Sequence, residues 1–430
     1  MMVSDKWARV LIVCIWVSTV GTLMVWSLAG NRVRSALGDD ADLSVAAAGV
    51  RNVALVLVVV VSAILLVQGL TSNRGRGIGT VVVLLLPWAV SYVSNIPQNG
   101  AYAGMGLLVP IFTLALGAAR PNIEILRFVA GLCGLTIVAA ILLGAVLPRS
   151  GIATDYLGAF LDVDKALTPW GLLQGMFTSA NNLGQFAALA LPLLFLLSRP
   201  LLRWSLIATC ALVLVWSSSR GALIAAVISM VMLAALSVVR NKNVLRRAVI
   251  WVGVAGTAAV VIGLPLLPWP DNAFSGRGRI WRYVLVEAMD AFPFGLGPGW
   301  FDYMGTLTNS LGRDAFHGHN QFVHVLATGG LVLALVILIV LWQAVRRTTR
   351  LRPRVGDPLA AYLVALLGTG LLEVSIGYLD RTNFMFVVAV PLALIVLCRD
   401  DHADEPRMHV IPTASRGGVR RQEVMPERAI

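Results

Sequence analysis

The chain has 430 residues, of which 58% are hydrophobic and 13% charged, and its formal net charge is +12 at pH 7. Soluble globular domains contain roughly 45–50% apolar and about 25% charged residues, so this composition excludes an ordinary water-soluble fold. The positive charge falls in short segments beside apolar runs, where anionic lipid headgroups account for it. We therefore expect membrane lipids, and no nucleic acid, among the partners.

Apolar runs follow one another along nearly the whole chain. A helix needs roughly 20 residues to cross a hydrocarbon core of about 30 Å, and continuous runs without alternation favour helices over barrel strands. Twelve such runs lie at 10–29, 53–70, 78–94, 101–118, 126–147, 183–198, 201–216, 221–239, 248–267, 320–343, 359–377 and 383–398. The sequence predicts an all-α polytopic integral membrane protein with about twelve transmembrane helices. The first run is longer than a signal-peptide core, so we interpret it as an uncleaved span.

The distribution of Lys and Arg predicts the orientation. If the spans alternate, 17 of the 34 basic residues lie in short segments on the side of the N-terminus, and 11 lie in longer segments on the other side. Cytoplasmic loops carry the excess of basic residues, so both termini are predicted to be cytoplasmic. Residues 1–398 form the predicted transmembrane domain. Residues 399–430 are polar and without apolar periodicity, which predicts a disordered cytoplasmic tail.

Two segments predicted on the outside, 148–182 and 268–319, exceed simple turns, and long ordered loops are usually functional. Within the second, 279–291 has the apolar spacing of a short amphipathic helix, which we expect to lie on the membrane surface. The residues grouped on its apolar face are Ile280, Trp281, Val284, Leu285 and Ala288. A glycine-rich turn at 294–300 follows it.

Asn181 and Asn182 stand at the start of the sixth run. We expect them to cap that helix, since asparagine favours helix starts; binding of sugar hydroxyls is the alternative.

Arg220 lies in a polar break between two runs, beside Ser219 and Gly221. It would either snorkel from a helix end or, among free backbone donors, bind an anion. The fork geometry of a guanidinium suits phosphate oxygens.

Arg277 and Arg279 lie in the basic turn 275–281 that leads into the amphipathic helix. They would bind lipid headgroups, or they would form a diphosphate site beside a helix N-terminus, where unpaired N–H groups favour negative charge.

Three of the five histidines lie within 316–324. His317 and His319 could be metal ligands, but no carboxylate or cysteine at suitable spacing completes a set, so we predict no metal site. His319, followed by Asn320, is the candidate general base, because imidazole titrates near neutrality and can take a proton from a sugar hydroxyl. His317 and His324 are equally well explained as hydrogen-bonded interface residues. Glu373 is the clear charged group inside an apolar run, a position that usually indicates function, but the sequence gives it no role.

Four segments together resemble the O-antigen ligase and polymerase family: 217–222, 275–281, 293–301, and 319–322 with 329–331. The resemblance covers about 170–345 in motif and the whole chain in span count and loop placement. It implies a multi-span glycosyltransferase of the GT-C type in the bacterial inner (plasma) membrane, working on the extracytoplasmic face without metal, nucleotide sugar or cofactor. The donor would be a glycan on a polyprenyl (undecaprenyl or decaprenyl) diphosphate.

On this resemblance, Arg220 and Arg277 bind the diphosphate, with Arg279 as an auxiliary group, and His319 deprotonates a sugar hydroxyl of a glycan or glycolipid acceptor, with inversion. Ser219, Asn182, Asn320 and His317 would support them. A lipid-linked glycan flippase or another polytopic transporter remains the alternative, although the scarcity of charge within the runs counts against it. A structural scaffold is disfavoured by the basic clusters on the outside.

Overall fold

The regular secondary structure in the described part of the chain is helical, apart from two isolated β-bridges, Asn122 with Arg399 and Ile152 with Leu173. The computed structural model describes residues 3–29, 43–71, 78–98, 105–154, 166–306, 315–380 and 382–399. The predicted tail therefore lies outside the described residues, except for Arg399.

The first part of the chain, up to residue 151, contains seven α-helices in these residues. They are α1 (Val3–Trp16), continued through a π-helical turn (Val17–Gly21) into α2 (Thr22–Leu28), then α3 (Val45–Thr71), α4 (Ile78–Asn95), α5 (Leu108–Ala119), α6 (Ile125–Val146) and the short α7 (Pro148–Gly151).

Nine more α-helices follow within the described ranges, from residue 180 onward. They are α8 (Ala180–Leu194), α9 (Pro200–Ser217), α10 (Arg220–Val238), α11 (Asn243–Gly263), α12 (Ala273–Asp290), α13 (Gly299–Thr306), α14 (Gln321–Thr348), α15 (Pro353–Thr369) and α16 (Ala389–Leu397).

Eight helical segments among the described residues are long and apolar enough to cross a membrane. Apolar side chains on their outer faces, such as Val53, Val56 and Val60 of α3, are exposed, as expected of surfaces that contact lipid. The four other predicted runs lie on the shorter helices α5, α8, α15 and α16. The protein is therefore a helical multi-pass membrane protein, while the count of twelve spans stays a prediction.

Two of the shorter helices form the centre of the bundle. In α8 every residue from Leu183 to Leu194 is buried, and α15 is buried from Gly356 to Thr369. Glycines allow close approach, because a Cβ added at Gly184 of α8 would lie 2.5 Å from the Cβ of Ser219. The start of α10 is thereby fixed against the start of α8.

Several of the segments predicted to be cytoplasmic contact one another at one end of the bundle. Asp5 lies 3.7 Å from Arg399 and accepts a hydrogen bond from the backbone of Asn122. Arg246 of α11 forms a buried ion pair with Asp357 of α15, with 2.6 Å between Nε and Oδ1. These contacts agree with a common side for these segments; which side that is stays a prediction.

The glycine-rich turn packs into a break in α14, where Gly330 has φ 62° and ψ −159°. The Leu296 amide donates to the Ala327 carbonyl (2.6 Å), and the Val332 amide donates to the Pro293 carbonyl (3.3 Å). Irregular backbone at membrane depth is tolerated where protein satisfies its polar groups. The turn therefore supplies hydrogen-bond partners where α14 is interrupted.

The predicted amphipathic helix lies within α12, which has non-helical backbone at Phe274, Ser275 and Gly276. Three of its buried residues, Ile280, Trp281 and Val284, belong to one cluster with residues of α13 and α14. The apolar face is thus covered by protein, whereas we expected it to rest on the membrane surface.

Candidate active site

The site is built around a short irregular segment. Helix α15 ends at Thr369, so the predicted run 359–377 is helical only in its first part, and Glu373 lies beyond the helix. The Asn320 side-chain amide donates to the Leu371 carbonyl (3.1 Å), and Gln321 Oε1 accepts from the Ile376 amide (2.9 Å). The residues just after His319 therefore hold the segment that carries Glu373.

The Glu373 carboxylate joins three other parts of the chain. Its Oε1 lies 2.7 Å from Nη2 of Arg277 on α12 and accepts from Nδ2 of Asn181 on α8 (2.9 Å). Its Oε2 lies 3.8 Å from Nε2 of His317. The side chain is 8% exposed, and that of Arg277 is 20% exposed. A single acidic group thus gathers residues far apart in the sequence.

His317 and His319 are in direct contact, with ring centroids 4.0 Å apart. The His319 backbone amide donates to Nδ1 of His317 (3.0 Å). Because Nδ1 accepts, the proton of a neutral His317 ring is on Nε2, the nitrogen that faces Glu373. His319 is buried at 9% exposure, and its ring meets Phe316 edge-on. His317 therefore links the candidate base to the acidic group.

The structure corrects one expectation about metal binding. No carboxylate stood at suitable spacing in the sequence, yet Glu373 places a carboxylate oxygen within 4.8 Å of ligand atoms of both His317 and His319. Metal-binding imidazoles normally donate their other ring N–H, whereas Nδ1 of His317 accepts one. The Arg277 cation also already contacts this carboxylate. The donor set fits an ion-paired anion site better than a divalent cation site.

Arg220 is the first residue of α10, and its side chain is exposed. A Cβ added at the next residue, Gly221, would lie 3.9 Å from Cγ of Glu373. Ser219, buried at 2% exposure, is the N-cap residue but makes no side-chain capping bond. The first N–H groups of a helix lack intrahelical partners, and the helix dipole makes that end positive. The start of α10 therefore adds positive character beside Glu373.

The three motifs around Arg220, Arg277 and His319 all contain residues with left-handed backbone. Five non-glycine residues within the described ranges have positive φ, and four of them are Ser218, Phe274, Ser275 and His319. The first three lie two or three positions before Arg220 or Arg277. Such conformations are sparsely populated and tend to cluster at functional sites.

Two predicted site residues lie differently from expectation. The hydroxyl of Ser179, not an asparagine, caps α8 by accepting from the Asn182 amide, and the Asn182 side chain donates to Thr178 Oγ1 (2.7 Å). The capping prediction was wrong, and Asn181 rather than Asn182 contacts Glu373. Arg279 follows Arg277 by two residues on α12 and therefore points to a different side of the helix.

His324 lies about one turn of α14 beyond Asn320 and forms a separate contact. Its Nε2 lies 2.8 Å from Oδ2 of Asp380, and its ring stacks on Phe301 at 5.0 Å. The side chain is 1% exposed, and its polar contact agrees with the interface role expected for His324. Sequence reasoning missed the partnership of Glu373 with Arg277, Asn181 and His317. The available signal was the rarity of an acidic residue inside an apolar run.

Comparison with known proteins gives a family match for the segment that carries these motifs. No curated protein matches the chain. The sequence model of the family described as O-Antigen ligase matches residues 204–338, a stretch that contains Arg220, Arg277 and His319. This match confirms the resemblance to the O-antigen ligase family that the motifs indicated.

Proposed function

We propose that the protein is a metal-independent, inverting glycosyltransferase of the GT-C type on the extracytoplasmic face of a bacterial plasma membrane. It transfers or polymerises a glycan from a polyprenyl-diphosphate donor onto a sugar hydroxyl, as a surface polysaccharide polymerase or ligase. The observation that supports this best is the convergence of Arg277, Glu373, His317 and the start of α10, next to His319.

The basic groups would serve the diphosphate. As the bond between the sugar and the diphosphate breaks, its electron pair stays on the leaving diphosphate, so negative charge grows there. Fixed cations and helix N-terminal N–H groups placed where charge develops lower the barrier. Arg277 and the exposed Arg220 are the proposed cations, with the start of α10 beside Glu373 and with Arg279 as an auxiliary group.

His319 would act on the acceptor. Its imidazole takes the proton of a sugar hydroxyl while the hydroxyl oxygen attacks the anomeric carbon from the face opposite the diphosphate, which inverts that centre. His317 and Asn320 hold the base in place. His317 accepts from the backbone amide of His319, and Asn320 caps α14 immediately after it.

The test is to replace each proposed residue in cells and to follow the surface polysaccharide. Arg220→Gln, Arg277→Gln and His319→Gln, present at normal amounts, are expected to lose chain extension or attachment. A missing general base costs about 10²–10⁴ in rate. Arg282→Gln is the matched control, because Arg282 lies exposed on the same helix and pairs with Asp271.

The membrane face on which the unused donor accumulates distinguishes the enzyme hypothesis from the transporter hypothesis. If the variants block transfer, the lipid-linked glycan accumulates on the outer face. Accumulation on the inner face would favour a flippase. Unchanged length and attachment of the polysaccharide in all three variants would rule out the proposal.

A further inference from the structure

Glu373 presents a contradiction within the proposed site. A site that binds a diphosphate needs positive charge, yet a buried carboxylate lies at its centre, 2.7 Å from the principal arginine. Like charges close together in a buried site oppose each other strongly. The proposed transfer gives Glu373 no chemical step, so its position needs a separate explanation.

The surroundings of the carboxylate are those that a phosphate group would need. Arg277 and the Asn181 amide both donate to Oε1, and the Nε2–H of His317 faces Oε2. Charge-assisted donors of this kind bind carboxylate and phosphate oxygens alike. Glu373 therefore occupies a position where an anionic ligand of the same charge type would be held.

A contribution to folding stability does not by itself explain the ion pair of Arg277 and Glu373. Buried ion pairs are weak stabilisers, because the cost of removing two charges from water offsets their attraction. The Arg246–Asp357 pair at the other end of the bundle is closed, with side chains 4% and 8% exposed. Arg277 instead keeps 20% of its side chain accessible, which leaves an approach for a second anion.

We propose that Glu373 is an internal substitute for the donor diphosphate. It holds Arg277 and Asn181 in the binding geometry while the site is empty. When the diphosphate binds, the ion pair with Arg277 breaks and Arg277 contacts the diphosphate. This inference rests on the proposed function. Glu373 is then a positioning residue, and the exchange forms and breaks no covalent bond. When the diphosphate leaves, the carboxylate takes Arg277 back and favours release.

Two opposite effects follow for Glu373→Gln. Without the competing charge, a diphosphate binds more tightly, about tenfold, which corresponds to about 1.4 kcal/mol. Turnover falls at the same time, because the diphosphate product is retained and release then limits the rate. A lower KM for the donor combined with a lower kcat is a signature that loss of a purely structural residue does not produce.

The experiment measures binding of inorganic pyrophosphate to the purified full-length protein in lipid nanodiscs. The variants are Arg277→Gln, Glu373→Gln, Glu373→Asp and, as the charge control, Asp290→Asn at the exposed end of α12. We expect weaker binding for Arg277→Gln, binding about tenfold tighter for Glu373→Gln, an intermediate gain for the shorter Glu373→Asp, and no change for Asp290→Asn.

The outcomes separate the two proposals. If Arg277→Gln weakens binding but neither Glu373 variant tightens it, the substitute role is wrong and the diphosphate site stands. If the wild-type protein does not bind pyrophosphate, both fail. An unstable Glu373→Gln protein is expected to be rescued by pyrophosphate, with a larger rise in Tm than the wild type shows. If it cannot be recovered even so, Glu373→Asp decides, and unchanged binding there overturns the inference.

Discussion

The side-chain amide of Gln321 and the backbone of Ile376 are hydrogen-bonded in both directions. Nε2 of Gln321 donates to the Ile376 carbonyl (2.8 Å), and the Ile376 amide donates to Gln321 Oε1 (2.9 Å). The Ser375 amide donates to the same oxygen (3.1 Å). Gln321 begins α14, two residues after His319. This pairing therefore fixes the position of the segment that carries Glu373 relative to the candidate base.

Gln321→Leu tests this relationship. The change leaves three buried backbone groups without partners, each worth about 1–3 kcal/mol when unsatisfied, and frees the segment that carries Glu373. We expect a lower Tm and a loss of transfer activity of roughly tenfold or more at temperatures where the protein remains folded. Gln343→Leu on the same helix is the control, because Gln343 Oε1 has no hydrogen-bond partner in the described structure. Full activity in the Gln321 variant would contradict the role given to this pairing.

Much of the fold follows from local patterns, whereas the site depends on contacts between distant segments. Apolar runs and the spacing of Trp281 and Val284 predicted helices, because hydrophobic periodicity is local to each element. Glu373 was visible as an unusual acidic residue, but its contact with Arg277 requires α15 to end at Thr369. That end depends on Gln321 and Asn320, which bind backbone groups about fifty residues away. Sequence spacing alone could not give these distances.

Gly330→Ala tests the break in α14. An added Cβ would lie 1.9 Å from the Pro293 carbonyl oxygen, and φ at this position is +62°, so both the space and the backbone conformation oppose a side chain. We expect destabilisation of about 3 kcal/mol or more, since overpacking and strain combine. Thermal unfolding in detergent measures it.

The matched control for this prediction is Gly256→Ala. Gly256 lies within α11, and nothing lies within 4 Å of its added Cβ. Alanine there is expected to be neutral or to stabilise by up to about 1 kcal/mol. Equal effects at the two glycines would contradict the tight packing of the glycine-rich turn into α14.

The cap of α8 gives a third prediction, at a position where the sequence interpretation was wrong. Ser179 accepts from the Asn182 amide (3.2 Å), so Ser179→Ala is expected to cost about 1 kcal/mol. Asn182→Ala loses its side-chain bond to Thr178 and is expected to cost less. Ser, Thr and Asn all favour helix starts, which is why the sequence 178–182 did not distinguish them. A greater loss of stability for Asn182→Ala would restore the original interpretation.

The buried pair of Arg246 and Asp357 gives the last prediction. Arg246→Met leaves Asp357 as an unpaired buried charge, and Asp357→Leu leaves Arg246 unpaired, so each single variant is expected to lose about 3–5 kcal/mol. The double variant removes both charges and is expected to stay within about 1 kcal/mol of the wild type.

Exposed Arg247→Met, next in the chain, controls for the loss of a basic residue and should change stability by less than about 0.5 kcal/mol. Unfolding of the wild type and the four variants in the same detergent gives the comparison. Because this pair lies at the opposite end of the bundle from Glu373, the double variant should also retain transfer activity. A double variant as unstable as either single one would mean that Arg246 stabilises the end of α14 independently, through its hydrogen bond to the Thr349 carbonyl.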